Sequence, residues 1–181
     1  LETSVPFDPA LLERHFYTTS SCGICGKTSI EAVMNNSKIK VPQSLTMTAE
    51  QVHQLPILLR RQQSEFSATG GIHAVGLIGP TGNLLRVRED VGRHNAMDKL
   101  IGSMLIDNDL PLAENGMVLS GRASFELVQK AAIAGAQIIV AIGPPSTLAV
   151  ALAKETGITL AGFVRNHQFN LYSHPHRLAP V

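Results

Sequence analysis

Tryptophan is absent from this 181-residue chain, and tyrosine and phenylalanine together make up only 4% of it. That scarcity weakens any reading in which stacked aromatic side chains track a single-stranded nucleic acid. Charge is also sparse and balanced. The formal net charge is +1, so no overall field draws in nucleic acid or an acidic membrane surface. The chain has two cysteines, too few for a secreted disulfide framework, and a reducing cytoplasm is the expected compartment. Neither the GxGxxG nor the Walker nucleotide fingerprint occurs. An uninterrupted apolar span is missing too. The stretch AAIAGAQIIVAIGPPSTLAVALA is broken by Gln137 and by Pro144–Pro145, and each half is too short to cross a bilayer.

What is present describes a globular α/β chain. Apolar residues make up 44% and charged residues 16%, a balance able to bury a core. The first segment, VPFDPALLERHF, has Asp8 and Pro9 as a helix start. Thr28 and Glu31 fit a capping box that opens a short helix to about Met34. NNSKIKVPQ follows as a loop or extended arm. Thr48 is expected to cap a helix through Gln51, Val52 and Leu55, with Pro56 kinking or restarting it and a second piece running towards Phe66.

From Thr69 the pattern changes. HAVGLIG and LLRVRED, joined by PTGN, read as a β-hairpin. A helix from Gly92 to about Asn108 repeats Ala96, Met97, Leu100, Ile101, Met104 and Leu105 at helical spacing. MVLS, QIIVAIG and a last strand ITLAGFV alternate with helices SFELVQKAAIAG and STLAVALAKETG, the latter stopping at Gly157. Such alternation predicts parallel strands covered by helices on both faces, and the opening hairpin makes the sheet mixed. The expected organisation is one globular unit. Residues 1–48 form an N-terminal helix, Cys-x-x-Cys loop and arm, and residues 49–181 form the α/β/α core with a C-terminal tail.

Three polar clusters fall where an open α/β sheet places ligands. TGGIH holds Gly70, Gly71 and His73. VREDVGRHNAMDK holds Asp90, Gly92, Arg93, His94, Asn95, Asp98 and Lys99. SGRAS holds Ser120, Gly121, Arg122 and Ser124. His94 with Asp98, and Asn95 with Lys99, are spaced to meet on one helical face. Arginines beside helix N-termini suit an anion or phosphate. Each cluster also has a plain reading: a turn before a strand with His73 as a satisfied core histidine, a capped helix with a solvated charged face, and an N-cap turn using Ser120 or Ser124.

The stretch SSCGICGKTSIEAV carries both cysteines, Cys22 and Cys25. Zinc needs four ligands, and the pair supplies two; His174 and His176 are candidates for the rest, as is a site shared across a dimer. A thioredoxin-type redox pair normally opens a helix after a strand, whereas this one precedes the α/β core. An inert buried pair is the bland alternative. A reactive sulfur fits the surroundings better. Lys27 and the helix start at Thr28 both favour thiolate, and flanking glycines let the loop swing. Such a thiolate can accept a sulfur atom as a persulfide, and the second cysteine can assist its release by forming a disulfide.

The segments SSCGICG, TGGIHAVGL, VREDVGRHNAMDKLIG, SGRASFELVQKAA and GITLAGFVR, in this order, closely resemble the FdhD family of formate dehydrogenase accessory sulfurtransferases. The resemblance covers nearly the whole chain. It implies that Cys22 and Cys25 carry a persulfide taken from a cysteine desulfurase. Its destination would be the molybdenum (or tungsten) bis-guanine-dinucleotide cofactor, before insertion into formate dehydrogenase. The strand-end clusters would hold that cofactor, with GDP or GTP as a mimic and Arg165 as a further contact. It also implies a cytoplasmic homodimer that engages neither nucleic acid nor membrane. The alternative is a guanine-dinucleotide cofactor carrier without sulfur transfer; a third reading is a thiol–disulfide oxidoreductase. The family fold resembles that of cytidine deaminases. Zinc deaminases need His-x-Glu and Pro-Cys-x-x-Cys at two helix starts, and GRHNA and SGRAS stand there instead, so no intrinsic metal is expected. Leu1 is not a natural start, and the resemblance implies a further N-terminal segment before it. Arg165, Tyr172 and Arg177 in the tail either reach the cofactor or tie the C-terminus down.

Overall fold

The computed structural model describes residues 41–42, 44–165 and 167–179. The cysteine loop, with Cys22 and Cys25, and the helices expected after Asp8 and Thr28 lie outside the described residues.

Thr48 ends a two-residue strand, β1 (Met47–Thr48), and caps α1 (Ala49–Arg61). Its hydroxyl accepts the Gln51 N–H at 3.2 Å, while Gln51 Oε1 accepts the Thr48 N–H at 2.8 Å, a complete capping box. The helix runs on through Pro56 without the restart that was one of the two outcomes expected there. Val52, Leu55 and Leu59 lie on both sides of Pro56 and are fully buried. Each contributes roughly 1.5–3 kcal/mol by burial, which offsets the lost backbone hydrogen bond of about 3 kcal/mol. The break comes later, at Gln62–Gln63, before α2 (Ser64–Thr69).

The hairpin forms as expected from β2 (His73–Ile78) and β3 (Leu84–Asp90). Then come α3 (Arg93–Ile106), β4 (Gly116–Leu119), α4 (Phe125–Ala134), β5 (Ile138–Ala141), α5 (Thr147–Thr156) and β6 (Thr159–Arg165). Gly135 and Gly157 close α4 and α5 in the left-handed conformation, at φ 91° and 85°. The sequence expectation stopped at β6. The chain instead turns back as β7 (Gln168–Ser173), and β8 (Leu178–Ala179) then pairs with β1.

The main sheet is six-stranded and mixed, in the order β3-β2-β4-β5-β6-β7. The connections β3–α3–β4, β4–α4–β5 and β5–α5–β6 all step the same way across it. With right-handed crossovers, that puts all three helices on one face. The strands alternate accordingly. Leu77, Met117, Leu119, Ile139 and Leu160 pack with α3, α4 and α5, while Ile78, Val118, Ile138, Val140 and Ala161 pack with α1. Helices therefore cover both faces, but the second layer is α1 and not a crossover helix.

Two buried polar side chains lock the end of the sheet opposite the polar clusters. Gln137 is fully buried; it accepts the Leu45 N–H at 2.8 Å and donates to Ser44 Oγ and to the Ala113 carbonyl. Arg177, also buried, donates to Gly157 O, Thr159 Oγ1 and Pro42 O at 2.8–3.0 Å. Burial lowers its pKa. These bonds hold the segment around Arg177 against the start of β6. No helix among the described residues is long and apolar enough to cross a membrane.

Candidate anion-binding site

The mixed sheet brings the three polar clusters to one end. His73 opens β2 and pairs in register with Asp90, the last residue of β3; Val75 pairs with Leu119, the last residue of β4. His73 therefore stands beside the SGRAS turn. A Cβ built on Gly121 would lie 3.3 Å from His73 Nδ1. The Ala74 N–H donates to Ser120 Oγ at 2.8 Å, and the Ser120 N–H returns a bond to Ala74 O at 3.0 Å.

The turns after β4 and β5 are zipped together. The Gly143 N–H donates to Gly121 O, the Ala123 N–H to Pro144 O, and the Ser146 N–H to Ala123 O, all at 3.0–3.2 Å. Gly143 is required for this approach, because a Cβ there would come within 2.9 Å of Arg122 N and Gly121 C. Phe163 takes φ 56° where β6 bulges and its N–H reaches Gly143 O, a left-handed value that strains a bulky residue.

Two helix starts face this zipper without side-chain caps. Gly92 precedes α3 and Ser124 precedes α4, and neither caps through a side chain. The Ser124 hydroxyl instead lies 3.1 Å from His94 Nε2, which also sits 2.9 Å from Glu126 Oε2. Ser146, before α5, does cap, accepting the Ala149 N–H. Arg93, Arg122 and Ser124 line a cleft of about 200 Å³ with Pro144, Pro145 and Ser146. The Arg93 Nε is buried and has no hydrogen-bond partner among the described residues. Burial, with Arg93, Arg122 and His94 nearby, holds the His73 pKa below the usual imidazole value. Cationic groups and two helix N-termini without side-chain caps, gathered around a cleft, suit an anion.

The middle cluster divides between binding and bracing. The helical i,i+4 pairs do not form. Asp98 pairs with Lys130 of α4 at 2.6 Å, which braces α3 against α4. Lys99 reaches Asp90 at 2.5 Å and Glu89 O at 3.1 Å; Asn95 and the Gly92 N–H also donate to Asp90. The Lys99 hydrogen bond, then that from Gly92, pull the Asp90 pKa down to about 2. Asp90 thus fixes the strand-to-helix turn that presents Arg93 and His94. Arg165 ends β6, exposed, at the same end of the sheet. Among the described residues no group of three or more His, Cys, Asp or Glu is placed to hold a metal ion.

A second cavity, of about 410 Å³, lies on the α1 side of the same strand ends. Its lining includes Gly70, Gly71, His73 and Ser120, together with Arg60, Gln63 and Phe66. Sequence reasoning missed the last three. RRQQSEF reads as a solvated polar stretch, and nothing in it signals that Gln63 is only 4% exposed. Glu89, beside Asp90 in the middle cluster, turns instead to α2. Its carboxylate accepts the Glu65 and Phe66 N–H groups at 3.0 Å and so ties α2 to β3.

The structure defines an α/β protein with a cleft lined by Arg93 and Arg122 at one sheet end, and comparison with known proteins places it further. The model of the FdhD/NarQ family matches residues 3–179, and the chain belongs to that family. It is 50% identical over 169 residues to the sulfur carrier protein FdhD of Nocardia farcinica, and 49% identical over 170 residues to that of Streptomyces coelicolor. These matches take in 93% of this chain but 61% and 60% of the relatives, so the chain spans about three-fifths of their length. A crystal structure from Desulfotalea psychrophila, described as a candidate formate dehydrogenase accessory protein, superposes with a TM-score of 0.70 at 29% identity, over 77% of this chain and 59% of that one.

Proposed function

We propose that this chain carries sulfur for the maturation of formate dehydrogenase. A thiolate at Cys22 or Cys25 attacks the terminal sulfur of a cysteine desulfurase persulfide. The desulfurase cysteine leaves as thiolate, and the sulfur now forms a persulfide on this chain. Delivering it as sulfide requires two electrons. The second cysteine supplies them by attacking the inner sulfur, which releases the terminal one and leaves a Cys22–Cys25 disulfide for a cellular dithiol to reduce. The recipient is the molybdenum (or tungsten) bis-guanine-dinucleotide cofactor, bound as cargo.

The observation that carries the reading is the joint placement of His73, Arg93, Arg122 and two uncapped helix starts at one sheet end. A dinucleotide's phosphates need such a site. The buried Arg93 Nε, unpartnered among the described residues, fits an oxyanion better than it fits a purely structural role. The family's members named sulfur carrier protein support the sulfur step. We further propose a homodimer on the cytidine deaminase frame that holds no resident metal. On that frame Ser124 would stand at a helix start where a zinc deaminase uses cysteine, and a serine hydroxyl is not among zinc's usual ligands.

A carrier that only chaperones the cofactor is the competing function. Replacing both cysteines with Ala separates the two. The sulfur-carrier reading expects the double variant to bind GDP like the parent and to fail in restoring formate dehydrogenase activity to cells lacking the natural protein. Full restoration would establish the chaperone instead.

A further inference from the structure

A serine, a histidine and a carboxylate meet at the start of α4 in an arrangement that charge alone does not explain. Ser124 Oγ and Glu126 Oε2 lie 3.1 Å and 2.9 Å from the same ring nitrogen, His94 Nε2. Ser124 is 7% exposed, and it lines the cleft together with Arg93 and Arg122. It occupies the N-cap position of α4 yet makes no side-chain cap, so its hydroxyl is not engaged by the helix that it opens.

Hydrogen-bond chemistry fixes where the protons lie. An ionised carboxylate only accepts, so Nε2 must carry a hydrogen to face Glu126. Ser124 Oγ lies within reach of the same N–H and accepts a share of it. The hydroxyl proton of Ser124 must then turn away from the ring, since two donors facing each other repel. In a nucleophilic triad the carboxylate holds the other ring nitrogen, which leaves Nε2 bare to take the serine proton. Here the carboxylate sits on the nitrogen that faces the serine, and the imidazole cannot act as the serine's base. The set orients a hydroxyl and does not activate one.

We propose that the Ser124 hydroxyl donates to the anion bound beside Arg93 and Arg122, and that His94 and Glu126 are positioning residues that aim it there. Glu126 holds the proton on Nε2, the Nε2 N–H holds the serine oxygen, and the serine proton is left for the ligand. The inference rests on the proposed anion cleft and adds to it a neutral donor. A carboxylate this near opposes an anion by charge. The charge of Glu126 and its positioning role therefore act on affinity in opposite directions, and variants can separate them.

The test is calorimetric titration with pyrophosphate of wild type, Ser124→Ala, Glu126→Leu and the double variant. Ser124→Ala should bind about tenfold more weakly, the scale of one hydrogen bond to a charged group. Glu126→Leu should also bind more weakly although it removes a negative charge, because the serine proton can then turn to His94. In the Ser124→Ala background the same change should leave affinity unchanged or raise it, since only the charge effect remains. Nitrogen NMR of the His94 ring reads the arrangement without any variant, and Nε2 should be protonated in wild type. Unchanged affinity in Ser124→Ala, tighter binding by Glu126→Leu alone, equal weakening by Glu126→Leu in both backgrounds, or a bare Nε2 would each overturn the inference while leaving the anion cleft standing. Should Glu126→Leu fail to fold, Ser124→Ala and the ring spectrum still decide. Failure of wild type to bind pyrophosphate would overturn the cleft and the inference together.

Discussion

Gly143→Ala puts the zipper between the two post-strand turns under direct strain. The added Cβ would lie 2.9 Å from Arg122 N, 2.9 Å from Gly121 C and 3.0 Å from Arg122 Cα. All three are backbone atoms, so no flexible side chain can yield. The turns must separate, stretching the Gly143–Gly121 hydrogen bond of 3.0 Å and moving Arg122 relative to Arg93. Overpacking of this kind costs about 1–3 kcal/mol. For a chain of this size that lowers Tm by about 2–4 °C per kcal/mol. Gly102→Ala is the matched control, because a Cβ there meets nothing within 4 Å. As a helix-interior glycine inside α3 it should gain roughly 0.5–1 kcal/mol. Thermal unfolding measures both variants, and pyrophosphate titration reads the cleft. Gly143→Ala should melt lower and bind pyrophosphate more weakly; Gly102→Ala should melt higher and bind it unchanged. A Gly143→Ala protein with wild-type Tm and wild-type pyrophosphate affinity would refute the claim that this contact shapes the cleft.

Other consequences follow from the same geometry. His73 has a folded pKa below 6.5, so the unfolded chain takes up the proton first. Stability should decline as pH falls through about 6.5, and His73→Gln should flatten that part of a Tm–pH curve. A bound anion favours protonated His73, so pyrophosphate affinity should rise from pH 8 to pH 6, less so in His73→Gln. Asp90, with its pKa near 2 and an ordinary value of 3.8, stabilises the fold above pH 3.8. That contribution should disappear between pH 4 and 2, and Asp90→Asn should lack it in acid unfolding. Gln137→Leu leaves the Leu45 N–H without its acceptor and should cost about 1–3 kcal/mol in urea unfolding, without altering pyrophosphate affinity at the opposite sheet end.

Much of the fold was legible because local chemistry and tertiary packing agree. Thr48 spells a helix cap, PTGN spells a turn, and Gly157 spells a helix stop; each does what it spells. Pro56 misled because tertiary burial of Val52, Leu55 and Leu59 outweighs a local breaker. β7 escaped notice because Phe169 and Leu171 alternate with polar residues in a stretch whose strand character depends on pairing with β6. The candidate site was legible as three clusters but not as a set of contacts. Helical spacing suggested His94 with Asp98, yet each finds its partner on another element, Ser124 and Glu126 for His94 and Lys130 for Asp98. Burial of a polar side chain leaves no mark in a sequence, and for that reason Gln63 emerged only from the fold.

The central claim is that sulfur resides on the Cys22–Cys25 pair. Intact mass after incubation with a cysteine desulfurase and cysteine, with and without reductant, tests it most directly. The account predicts a gain of one sulfur atom that reductant removes and that the Cys22→Ala, Cys25→Ala double variant does not show. A wild-type protein that binds GDP but gains no sulfur would contradict it.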